Sequence, residues 1–159
     1  MKHHILFMKN VILTIILTIY SQTIFSQISI PDVGNKWKLK VEMALDVIKR
    51  YDYTKYIQLQ DVCTDIEFWG GSFATTAKNS IIIPTAELEA GVINDLAAII
   101  VHESLHLYFA KHNVKLTPAH EERLCYLYEL ELLFKIPNVE PWLIEHAEKQ
   151  ESKFNIIYK

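Results

Sequence analysis

Apolar residues recur at helical spacing over most of this chain, broken by short β-branched runs, and that pattern divides it into elements. Trp37, Val41, Ala44, Leu45 and Ile48 are separated by lysines and acids, which predicts an amphipathic helix over 36–51 with the task of covering a sheet. Between 56 and 73, Ile57 and Leu59 alternate with polar residues and Ile66-Glu67-Phe68 does the same, the period of short strands. Ser80-Ile81-Ile82-Ile83 is β-branched and stopped by Pro84, and a turn at Lys78-Asn79 would join it in a hairpin to a strand over 73–76. From 92 to 111 the pattern is helical and apolar almost all round, as in a central helix. Thr117 as N-cap and Pro118 at the first helical position open a helix that runs through Leu133 and ends before Pro137. A last helix starts near Glu140, carries Pro141 in its first turn and becomes polar towards its end. The expected fold class is α+β, a short, mostly antiparallel sheet packed on a central helix.

Composition narrows this to one compact domain: the chain has 159 residues, 50% hydrophobic and 22% charged. Residues 1–26 stand apart. Lys2, His3, His4 and Lys9 precede an apolar stretch from Val11 to Tyr20, and a polar segment from Ser21 to Ser26 follows, the layout of an export signal. Cleavage is expected after Ser26, although Ile24 is larger than the usual small residue and Met8 could be the start. The competing reading, a membrane anchor, needs ~20 apolar residues, and this run is interrupted well before that. The expected domain is therefore 27–159, secreted or periplasmic, with no stable membrane span. Without Lys2 and Lys9 the 16 basic residues fall to 14 against 19 acidic, a formal charge of −5. Such a balance argues against nucleic acid as a partner. Cys63 and Cys125 are the two cysteines, open between one disulfide and two buried thiols.

Chemistry enters at residues 102–106, His102-Glu103-Ser104-Leu105-His106. On a helix, histidines at i and i+4 project from one face, so both imidazoles reach one zinc ion and Glu103 lies beside a water on it. Catalytic zinc sites use three protein ligands, so a third must come from elsewhere.

His112 has the metzincin spacing, but Phe109 stands where that family needs glycine and no methionine follows. On an unbroken helix His112 would point roughly 80° to 120° from the other two histidines. On the helix after Thr117, the polar side carrying Glu121, Arg123, Glu131 and Lys135 lies opposite Glu122. That phase turns Glu122 inward beside Cys125, Tyr126 and Leu133, where a carboxylate is costly unless paired or metal-bound. Glu122 is thus the leading candidate, with Glu121, His120 and Glu129 as rivals. Glu129 alternatively orients a ligand from behind.

Together, Ile81-Ile82-Ile83, the helix through Ala98-Ile99-Ile100-Val101 and H-E-S-L-H, and Glu122-Arg123-Leu124-Cys125-Tyr126 resemble the gluzincin metallopeptidases, by size the minigluzincins. The resemblance covers roughly residues 73–133. It implies a small zincin-like domain in which Ile81–Ile83 is an edge strand that binds extended substrate by β-addition. Arg123 stands where many gluzincins carry glycine, and Tyr126 where some place Asp.

The expected function is an exported zinc peptidase acting on a peptide or protein substrate. His102, His106 and Glu122 hold Zn²⁺, Glu103 is general base, and Tyr126 or Tyr128 donates to the oxyanion. The alternatives are a non-catalytic binding protein on the same scaffold and a helical core protein in which H-E-x-x-H is accidental.

Overall fold

The computed structural model describes residues 27–32 and 35–156, so the expected signal at 1–26 lies outside the described residues. Among the described residues the chain runs α1 (Asn35–Tyr51), α2 (Tyr53–Val62), β1 (Asp65–Trp69), β2 (Thr75–Ala77), β3 (Ser80–Pro84), α3 (Thr85–Ala90), α4 (Ile93–Lys111), α5 (Pro118–Leu133) and α6 (Pro141–Ile156). The class is α+β, with six helices around a three-stranded sheet.

The alternation at Ile57 and Leu59 does not make a strand; it belongs to α2. Asp52 caps that helix by accepting from the Lys55 backbone N–H at 3.2 Å, and the buried face is Lys55, Leu59 and Val62, at i, i+4 and i+7. A lysine at the start of the buried stripe disguised its period. Lys55 is stabilised there by Glu131 of α5 at 2.8 Å and by lying 3.0 Å from the Tyr128 ring centroid. Tyr128 therefore faces α2.

β3 is the middle strand, parallel to β1 (Ile66 opposite Ile81) and antiparallel to β2 (Thr76 opposite Ile81). The sheet is thus mixed rather than mostly antiparallel, and Ile81–Ile83 is its centre rather than its edge. With a neighbour on each side the backbone groups of β3 are already engaged, and Ile81 and Ile83 are wholly buried. The expected hairpin is present, shortened to start at Thr75, with Lys78 at φ 56 in its two-residue turn. Ser29 bridges Asp65 on the outer side of β1, whereas the outer edge of β2 pairs with no strand among the described residues.

α1 packs chiefly on α4 rather than on the sheet; Trp37 reaches across to the sheet, meeting Phe68 edge-on at 6.0 Å. The sequence pattern gave no sign of α3, a single turn and a half that buries Leu88. It ends at Gly91, where a Cβ would fall 2.6 Å from the Glu87 carbonyl oxygen. α4 runs through the middle with Leu96, Ala97, Ile100, Val101 and Leu107 buried, and α5 crosses it, opened by Thr117 and Pro118 as expected. The core joins Ile48, Leu59, Ile66, Ile83, Ile100 and Leu132, and burying each such side chain contributes about 1.5–3 kcal/mol. α6 covers the outside of α5, fastened by Arg123 Nε to Glu151 at 2.6 Å. No helix among the described residues is long and apolar enough to cross a membrane.

Candidate metal centre

α4 presents His102, Glu103 and His106 towards α5, because positions three and four apart on a helix share a flank and α5 packs across it. Glu122 projects from the first half of α5 into the gap between the imidazoles. One of its oxygens lies 3.5 Å from His102 Nε2 and the other 3.5 Å from His106 Nε2. These separations are beyond the normal hydrogen-bond range. A tetrahedral ion with ligand bonds of about 2.0–2.2 Å spaces its donor atoms about 3.3–3.6 Å apart, the spacing that each Glu122 oxygen keeps from one of the two imidazoles.

Both imidazoles are held from behind. Glu129 Oε2 lies 3.2 Å from His102 Nδ1, and Glu121 Oε1 lies 2.7 Å from His106 Nδ1. With each carboxylate accepting from an Nδ1–H, it is Nε2, on the Glu122 side, that would be deprotonated for a metal, the arrangement that orients metal-ligating histidines. Glu121 therefore stands behind His106 rather than beside the shared gap, and Glu129 stands behind His102.

The remaining candidates fall elsewhere. His112 is the exposed C-cap of α4, its ring against Tyr108 at 4.3 Å, because Asn113 at φ 52 ends the helix and the chain turns away. His120 is exposed on the first turn of α5. Tyr126 lies against the site, its ring edge-on to His102 at 4.5 Å, and stacks on Phe154 of α6 at 6.1 Å. Tyr128 is on the Lys55 side and does not reach the site.

Cys125 is a neighbour that sequence spacing did not favour: its Sγ and a ring nitrogen of each histidine lie within 4.8 Å of one another. The signal for it was its place three residues after Glu122, on the same stripe of α5. Burial first, then the Glu122, Glu121, Glu103 and Glu129 charges, hold its thiol protonated well above the ordinary range. Cys63 and Cys125 are both buried free thiols, which settles the open disulfide question against a bridge.

Without a metal, burial works to lower the His102 pKa, yet Glu122 and Glu129 raise it to about 9. Glu122 is held below the usual carboxylate range chiefly by the neighbouring His102 imidazole. Glu103, 8% exposed, is shifted up by burial, opposed by the two histidines. It lies between two cavities. The larger, about 610 Å³, is bounded by His102, Glu122, Tyr126 and Trp142; the smaller, about 380 Å³, by His106, Glu121 and Thr75-Thr76 of β2. Ala74, just before β2, borders both, so the cavities form one cleft running past Glu103 beside the open edge of the sheet.

No family model, curated protein or solved structure matches the chain.

Proposed function

We propose that the protein is an exported zinc-dependent metallopeptidase of gluzincin-like type, with His102, His106 and Glu122 as metal ligands and Glu103 as general base. The observation that carries this reading is the pair of 3.5 Å separations between the Glu122 oxygens and the two Nε2 atoms, with a carboxylate behind each imidazole. Two surface histidines or two core histidines would not need three carboxylates converging on them.

When bound, the metal lowers the pKa of a water and polarises the scissile carbonyl. Glu103 accepts the proton of the attacking water and passes it to the leaving amine nitrogen. Its burial favours the protonated form, which suits the second half of that transfer. Tyr126, whose hydroxyl burial pushes up to about 12, stays a hydrogen-bond donor at neutral pH and serves the oxyanion from the His102 side. The open edge of β2, rather than β3, lines extended substrate by backbone hydrogen bonds. Export and cleavage after Ser26 rest on Lys2, Lys9 and the apolar run from Val11 to Tyr20.

Metal analysis should find one zinc per chain, and a mixed peptide library should be cleaved by the zinc-loaded protein but not by Glu103→Gln. Glu122→Ala should lose zinc. Cleavage by Glu103→Gln at the parent rate, or zinc affinity unchanged in Glu122→Ala, would overturn the assignment.

A further inference from the structure

The larger cavity is walled chiefly by carboxylates. Glu87 in the first turn of α3 and Asp95 in the first turn of α4 line it, in addition to Glu103, Glu122 and Glu129; its basic residues are His102 and His146, with no lysine or arginine. Glu122 and Glu129 are engaged with the histidines, but Glu87 and Asp95 have no salt-bridge or hydrogen-bond partner among the described residues. Glu103, more than nine-tenths buried, likewise faces the cavity without a hydrogen-bond partner. A divalent ion at the histidines would offset only two of these five charges.

Aromatic faces complete the wall. Trp142 at the start of α6 is 51% exposed and Phe73 is 80% exposed, both at this cavity, and Tyr126 closes it towards His102. Large apolar rings beside unpaired carboxylates provide two recognition elements for a cation: charge attraction and the negative face of an aromatic ring. Neither favours an acidic or a small neutral group. Asp95 records the strain of the present arrangement. Burial first, then Glu87, Glu129 and Glu140, raise its pKa to about 6, which a cation seated beside it would reverse.

We propose that this cavity is a specificity subsite for a cationic group of the peptide, a primary ammonium or a guanidinium, held by Glu87 and Asp95 against Trp142. The inference rests on the peptidase reading only in naming a peptide as the ligand, and selection at this subsite is separable from cleavage.

The test is binding. Zinc-loaded Glu103→Gln protein is titrated, by fluorescence anisotropy, with labelled peptides that differ only in arginine against citrulline, lysine against norleucine, and free against acetylated amino terminus. At least tenfold tighter binding of the arginine or lysine peptide is expected, fading with added salt. The preference should collapse in Glu87→Gln/Asp95→Asn, and drop in Trp142→Ala. Preference confined to the free amino terminus would identify the ammonium as the chain's own, and preference for arginine or lysine a side chain; either supports the subsite. Equal binding of charged and neutral peptides, or a preference unchanged in the double variant, overturns it. Should the wild-type protein cleave nothing while the charge preference holds, the peptidase reading fails and the subsite stands. Cleavage without charge preference is the reverse result.

Discussion

Glu129 Oε2 lies 3.2 Å from His102 Nδ1, with both side chains largely buried, and this contact determines which nitrogen His102 offers to the site. With the Nδ1–H donated to Glu129, it is Nε2, facing Glu122, that gives up its proton to a metal. Glu129→Ala should therefore weaken zinc affinity by about 10–100-fold while leaving the three proposed ligands intact. Glu121→Ala should act in the same direction through His106. Competition with a fluorescent chelator measures both, and an unchanged constant in both variants would remove the orienting role.

Cys125 and Glu122 make opposite spectroscopic predictions. Cobalt-loaded protein should show no sulfur-to-metal charge-transfer band, and Cys125→Ala should bind metal within a few-fold of the parent. The carboxylates around the thiol disfavour its ionised form, whereas Glu122 is already ionised and equidistant from both histidines. A thiolate band lost in Cys125→Ala would move the third ligand to Cys125.

Lys55 separates the packing of a buried lysine from its charge. Burial is the leading cause of its lowered pKa, so the ammonium carries a desolvation cost that Glu131 and Asp52 only partly offset. Asp52 also has Lys135 at 2.6 Å and Glu131 is exposed, so neither is stranded when the charge goes. Lys55→Met, which keeps the stem, should fall within about 1 kcal/mol of the parent or above it. Lys55→Ala should lose about 2 kcal/mol through the emptied stem volume. Urea unfolding at neutral pH distinguishes them.

Asp95 predicts a pH-dependent gain. Its folded pKa of about 6 is above the ordinary aspartate value of 3.8, so its contribution to stability is fully present below pH 4 and is lost as the pH rises through 6. Asp95→Asn in the metal-free protein should be more stable than the parent at pH 7.5 by roughly 1 kcal/mol, discounted for the group's partial exposure, and equal to it near pH 3.5. Thermal melts across that range read the difference; a constant gap at both ends would refute the assignment.

The H-E-x-x-H spacing and the boundaries of α4 and α5 were legible in the chain because each depends on a few adjacent residues. Helical periodicity sets which side chains share a face, and Thr117 with Pro118 marks where α5 begins. A buried Lys55 broke the apolar period and made α2 read as strand, since a residue's letter does not say whether a partner will neutralise it.

The sequence by itself determined that two histidines and a glutamate share one helical flank, and where the next helix begins. Only the tertiary structure decided that β3 is the centre of the sheet, that β2 holds its open edge, and that Glu121 and Glu129 stand behind different histidines. It also brought Glu87, Asp95 and Trp142 to one cavity from three helices. The reason is range: facing along one helix follows from 3.6 residues per turn, whereas a strand's neighbours and a cavity's walls depend on how distant segments pack.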